Sequence, residues 1–296
     1  MEWVVFAVTA FALFALGVVF DKILRTKFVD DSLALTILFG LTSFLPMLFV
    51  LPFVNLSLPN PGILIAALAA GGLVTFALLP YIKALSLEEA SRITPLWLTS
   101  PIFVLIIASL FLNENLAAKD YFAFVLLLAG GFFISIRRIE KTFKLSKAFW
   151  LMLLSAFLFA VSDVLLKFVY TASDYWNNTF WILLGTLAVS LVLALFFRKK
   201  LFTGMKKIKR TAILPLTCST LCGFAGKLLF FLALVSGPVS IVSALVGFQA
   251  LFVLLFTVLL SLWLPKILEE DVSTKILLTK AASILIMIAG VVMLYL

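Results

Sequence analysis

Apolar residues run in blocks along this chain of 296 residues. Most blocks approach or exceed the roughly 20 helical residues that span a hydrocarbon core of ~30 Å. Ten are legible. The first half holds 3–20, 33–54, 62–79, 93–112 and 121–136; the second holds 148–169, 179–197, 212–235, 238–264 and 277–296. Turn-forming residues punctuate them, notably Asn55, Ser57, Pro59, Asn60 and Pro61 in one break and Ser236-Gly237-Pro238 in another. The sustained alternation of outer-membrane barrel strands is missing. The pattern predicts an all-α membrane protein with ten transmembrane helices. No small-residue cleavage site follows the first block, so it is expected to stay as a helix and not to leave as a signal peptide.

The two halves echo each other. Leu13-Phe14-Ala15 recurs as Leu158-Phe159-Ala160, and at the same offset Lys22 and Thr26 recur as Lys167 and Thr171. Ala129-Gly130 recurs as Ala289-Gly290. Five blocks is an odd number, so a second copy enters the membrane from the opposite side. The expected architecture is two inverted five-helix repeats around a central cavity, residues 1–140 and 148–296, joined by a basic cytoplasmic linker at 141–147. Many secondary transporters share this plan.

Composition and charge narrow the class. Hydrophobic residues make up 64% of the chain and charged residues 12%, against about a quarter charged in soluble domains. The net charge of +9 is unevenly placed. Twenty of the 23 lysines and arginines fall in one set of loops, Lys119 alone lies on the other side, and Lys167 and Lys227 sit within apolar blocks. This bias puts the basic loops in the cytoplasm and both termini on the outer side of a cell (inner) membrane. The charge then reads as topology and lipid-headgroup contact, with no separate basic domain for nucleic acid. The chain has no histidine, which removes His-based zinc sites and His acid–base catalysis. No cofactor or metal is expected. No ATP-binding domain is legible, so a solute gradient or a coupling proton is the expected driving force.

Two charges interrupt the blocks. Asp163 and Lys227 each lie fifteen residues into a block that starts at the basic side, about 22 Å deep at 1.5 Å per residue. An ionised group in hydrocarbon costs roughly 2.5–3.5 kcal/mol even on insertion scales, so such groups pair, face water or bind. Equal depth permits an ion pair between them. Lys167, four residues after Asp163 and on the same helical face, competes for that carboxylate or snorkels to the outer interface. A structural pair rivals a substrate- or proton-coupling role, although a buried pair returns little net stability.

The fourth block carries Pro95 and Pro101 around Trp97 and Thr99. Two prolines within a few turns free backbone carbonyls, which is tolerated at membrane depth where the segment lines a cavity or neighbours satisfy it. Trp97 is a candidate substrate platform or an interfacial anchor. Gln249 falls opposite Thr99 in the repeat alignment, and its amide needs a partner inside the bundle, either substrate or another helix. Small-residue stretches at 66–72 and 129–131 read as close helix packing. Cys218 and Cys222, one turn apart, read as small apolar side chains. Glu88 and Glu89 read as solvated loop residues, and Glu114 as lying at the interface opposite the basic one.

Tyr81-Ile82-Lys83-Ala84-Leu85, then Ala90-Ser91-Arg92-Ile93-Thr94-Pro95-Leu96, then Leu112-Asn113-Glu114 resemble the signature of the EamA-like branch of the drug/metabolite transporter superfamily. The shared features are an aromatic-x-x-Ala-Leu opening, a proline-containing fourth helix with small residues, and a terminal Glu. Ser236-Gly237-Pro238-Val239-Ser240-Ile241-Val242 looks like the matching motif of the second repeat. The resemblance covers nearly the whole chain. It implies ten helices in two inverted repeats around a central cavity. It also implies transport of amino acids, nucleotide-linked sugars, phosphorylated metabolites or drugs, often outward. Tyr81 becomes a candidate substrate residue through this motif. The chain departs from the family at 262–266, which lacks a counterpart of Glu114, and in a charge bias that puts the termini outside.

The reading is a secondary-active exporter or exchanger of a small polar or amphipathic metabolite such as an amino acid, working by alternating access. Its candidate substrate or coupling residues are Asp163, Lys227, Gln249, Trp97, Thr99, Tyr81 and Lys167, with Pro95 and Pro101 as helix irregularities. A flippase for a lipid or lipid-linked sugar on the same fold is the alternative, and a lateral opening between helices would favour it. A membrane-embedded lipid-modifying enzyme is remote, because the acidic residues are scattered and histidine is absent. Expected partners are the small-molecule substrate, membrane lipid and a coupling proton. Substrate identity, direction and oligomeric state stay open.

Overall fold

The computed structural model of the chain describes residues 2–28, 31–87, 94–114, 116–135, 146–172, 174–206, 210–261 and 274–295. Glu88, Glu89, the motif residues 90–93, most of the linker and the departure at 262–266 lie outside the described residues. The described elements are helices: α1 (Glu2–Lys27), α2 (Ser32–Leu41), α3 (Phe44–Val50), α4 (Pro61–Leu85), α5 (Ser100–Phe111), α6 (Ala118–Ser135), α7 (Lys147–Ala172), α8 (Tyr175–Phe196), α9 (Arg198–Lys206), α10 (Ile213–Ser236), α11 (Val239–Ala244), α12 (Gly247–Ser261) and α13 (Thr274–Tyr295). Short 3-10 stretches occupy Leu51–Phe53, Thr94–Thr99 and Arg210–Ala212.

Among the described residues, six spans are long and apolar enough to cross a membrane: Glu2–Leu24, Ser32–Phe53, Pro61–Ala84, Lys147–Ala172, Tyr175–Phe196 and Ile213–Ser236. They coincide with the first, second, third, sixth, seventh and eighth apolar blocks. Shorter apolar helices cover Leu96–Phe111, Val239–Val253 and Ala282–Leu294. Large apolar side chains face outward, including Leu110, Phe111, Leu195 and Phe196. Such a surface suits lipid and would be a liability in water. The chain is a helical membrane protein.

Polar residues set several helix starts. The Asp31 carboxylate accepts from the N–H groups of Leu33 (2.8 Å) and Ala34 (3.2 Å) at the start of α2. Asn60 caps α4 ahead of Pro61, and Asp174 accepts from Asn177 N–H at 3.0 Å to cap α8. In each case a side-chain oxygen satisfies a donor that the first helical turn leaves orphaned.

Three blocks are interrupted where the apolar pattern alone predicts one helix. The second divides at Thr42–Ser43 into α2 and α3, four residues before Pro46. A proline ring crowds the carbonyl four residues earlier and supplies no N–H. The hydroxyls of Thr42 and Ser43 bond the carbonyls of Phe39 (2.8 Å) and Gly40 (2.6 Å) at this break. By the same logic Pro101 disturbs the carbonyl of Trp97, and the fourth block runs as a 3-10 stretch to Thr99 before α5 begins. The ninth block breaks at Leu245–Val246, just ahead of Gly247.

The helices pack in matched antiparallel pairs. Along α1 and α10, Trp3 lies at Gly237, Phe14 at Gly226, and Asp21 at Ser219. Along α4 and α7, Ser155 donates to the Ala77 carbonyl (2.7 Å) and Ser162 to the Ala70 carbonyl (3.0 Å). The crossing of α4 with α8 depends on glycine. A Cβ on Gly71 would run into the Ile182 carbonyl, and one on Gly185 into the Leu68 carbonyl. Thr186 completes the crossing by donating to the Gly71 carbonyl at 3.0 Å. Gly130 meets Met287 and Gly290 meets Leu127 where α6 packs on α13. These are the close approaches that the small-residue stretches allow. α7 also touches α10, so α4, α7, α10 and α1 follow one another in space.

Candidate functional site

Two polar layers lie within this row of helices. The deeper layer holds Asp163 on α7 and Lys227 on α10. Asp163 is sixteen residues beyond Lys147 and Lys227 fourteen beyond Ile213, about 24 Å and 21 Å from the basic end at 1.5 Å per residue. Both are partly buried. Among the described residues, neither makes a hydrogen bond or ion pair, with the other or with any third group. The ion pair that equal depth permits is therefore not formed.

Lys167 does not serve Asp163 either. Its Nζ donates to the carbonyls of Leu234 (2.6 Å) and Gly237 (2.9 Å) at the end of α10. Those carbonyls lack helical donors and carry the negative end of the helix dipole, which draws a cation. Glu114 performs the complementary task across the break. Its carboxylate accepts from the N–H groups of Val239 (2.9 Å) and Ser240 (3.0 Å), which open α11. Asn113, with φ of 51°, turns the chain at the end of α5 just before Glu114. Glu114 is thus a capping residue within the bundle, where the sequence suggested only an interfacial acid.

The second layer lies nearer the basic end. Val18 of α1, Tyr81 of α4, Trp97 and Leu98 of the 3-10 stretch, and Gln249 and Ala250 of α12 line a cleft. Its free volume of ≈ 20 Å³ suits about one water molecule. The Trp97 ring sits 5.1 Å from that of Tyr81 and 4.9 Å from that of Phe159. Trp97 is therefore packed inward, on the cleft side of its two sequence readings. The side chain of Gln249 has no hydrogen bond among the described residues. Thr99 does not join it: its hydroxyl bonds the Leu96 carbonyl at 2.6 Å. Pro101 is buried in the first turn of α5, and Pro95 lies within the 3-10 stretch. The structure thus brings Tyr81, Trp97 and Gln249 together, keeps Asp163 and Lys227 apart at one depth, and gives Lys167 and Thr99 to the backbone.

Asp21 belongs to this layer, and the sequence reading missed it. Its Oδ1 accepts from Ser219 Oγ at 2.5 Å. The apolar block ends at Phe20, which makes Asp21 look like the start of a loop. α1 continues to Lys27, so Asp21 is more than a turn inside the helix. The usable signal was the helix-permitting run from Lys22 to Lys27, which contains neither Gly nor Pro. Cys218 and Cys222 are half-buried free thiols one turn apart.

The model of the EamA-like transporter family matches residues 1–136. No curated protein matches the chain. One protein of known crystal structure is similar over 99% of this chain and 96% of its own, with a TM-score of 0.68 at 14% identity.

Proposed function

We propose, on the match of residues 1–136 to the EamA-like transporter family, that the chain is a secondary-active exporter or exchanger working by alternating access. Its substrate is a small metabolite carrying both a cationic and an anionic group, such as an amino acid. One observation carries this reading. Asp163 and Lys227 bring opposite formal charges to adjacent helices, at similar depth and without partners among the described residues. Burying two unpaired charges is costly. A zwitterion between them would satisfy both, with its ammonium toward Asp163 and its carboxylate toward Lys227. Asp163 would also serve to accept a coupling proton when the solute leaves.

The proposed architecture is ten transmembrane helices in two inverted repeats, 1–140 and 148–296, in the inner membrane with the termini outside. Helix pairing supports the duplication. The first apolar block packs on the eighth as the third packs on the sixth, and the fifth packs on the tenth. Exchanging the two halves maps these pairings onto themselves. The charge bias of the loops supports the orientation.

The test is counterflow in proteoliposomes loaded with single amino acids. Wild-type protein should exchange at least one zwitterion. Asp163→Asn and Lys227→Met should each lose that exchange while remaining monodisperse and folded. Full exchange by both variants would remove the clasp, and no exchange of any zwitterion by the wild type would remove the substrate class.

A further inference from the structure

Asp21 and the cleft next to it lie outside the deeper Asp163–Lys227 layer. Asp21 is six residues from the basic end of α1, and Ser219 six residues beyond Ile213, about 9 Å deep on the helical rise. The deep layer is roughly 12–15 Å farther in by the same measure. The only hydrogen bond or ion pair of Asp21 among the described residues comes from Ser219. That single donor satisfies one oxygen of a carboxylate that has about four acceptor positions.

Tyr81 lines the cleft and packs its ring against Trp97. Val18, one helical turn before Asp21, lines the same cleft. On the far wall Gln249 presents an amide with no partner among the described residues. Two aromatic rings and an amide line the cleft, and the Asp21 carboxylate lies one helical turn beyond Val18. Such a surface attracts a cation through charge and through the ring faces. Size selects among cations. The cleft suits a water-sized group, which favours a primary ammonium over a trimethylated one.

We propose that the cleft beside Asp21 is a second subsite, near the basic end, that takes the primary ammonium group of an amphipathic amine. Its purpose rests on the transporter reading; its existence does not depend on the Asp163–Lys227 clasp. Gln249 Oε1 and the second carboxylate oxygen of Asp21, which has no partner among the described residues, receive the N–H donors, and Trp97 covers the head.

The test is calorimetric titration of the purified full chain with n-butylammonium, n-butyltrimethylammonium and n-butanol at one ionic strength. n-Butylammonium should bind saturably. The trimethylated and uncharged compounds should bind at least about tenfold more weakly, in line with the worth of charge-assisted and cation–π contacts. Asp21→Asn should weaken n-butylammonium about tenfold or more, and Asp21→Glu should keep the preference for the charged, small head. If Asp21→Asn does not fold, Trp97→Leu carries the test, with an expected loss of several-fold. Equal binding of the three compounds, no binding of n-butylammonium, or unchanged affinity in a folded Asp21→Asn or Trp97→Leu protein would overturn the subsite. Affinity lost in Asp163→Asn but kept in Asp21→Asn would put the amine in the deep layer, overturning this proposal and leaving the transporter reading intact.

Discussion

Lys167 and Lys227 carry the same charge into apolar surroundings and meet different neighbours. Lys167 reaches two carbonyls that α10 leaves open, whereas Lys227 has no partner among the described residues. Lys167→Met should therefore lower stability by about 1–3 kcal/mol, the range for charge-assisted bonds to backbone. The change would appear as a lower melting temperature of the purified protein. Asp163→Asn should behave in the opposite manner. It removes a charge that the fold does not satisfy, so the melting temperature should hold or rise while counterflow falls. A melting temperature that drops in step with counterflow would show that Asp163 is a structural residue. The unusual depth of Asp163 was plain from its position in an apolar block. The allegiance of Lys167 was not, because its acceptors lie 67 and 70 residues away in sequence.

At the scale of elements, glycine and proline decide where helices approach and where they break. Pro46 and Pro101 sit close beyond the two irregularities of the second and fourth blocks, and the steric rule for proline explains both. Gly71 and Gly223 provide a comparison. A Cβ on Gly71 would meet the backbone of Ile182, which has no flexible end to move aside, while a Cβ on Gly223 has nothing within 4 Å. Gly71→Ala should cost about 1–3 kcal/mol through overpacking. Gly223→Ala should be neutral or stabilising by up to about 1 kcal/mol, since alanine favours the helix. Melting curves of the two variants under one detergent condition check both. A Gly71→Ala protein as stable as the wild type would mean that the α4–α8 crossing is looser than its carbonyl contacts indicate.

For the whole molecule, orientation is the prediction at stake. In a background with Cys218 and Cys222 replaced by serine, Asn60→Cys should react with an impermeant thiol reagent on intact cells. Lys206→Cys should react only after permeabilisation. The reverse pattern would put the basic end outside. The sequence alone determined the helical class, and six of its ten apolar blocks stand as long spans among the described residues. It also showed the small residues at which helices touch and the two charges at matching depth. These follow from local physics: a hydrocarbon core demands runs of about 20 apolar helical residues, and rise per residue converts position into depth. Only the tertiary structure decided which polar atoms meet. Ser219 reaches Asp21 across 198 residues of chain, Glu114 caps a helix that begins 125 residues later, and Tyr81, Trp97 and Gln249 converge on one cleft from three separate segments. Such meetings depend on the rotation and register of each helix against its neighbours. The packing of the whole bundle sets both, and no single helix encodes them.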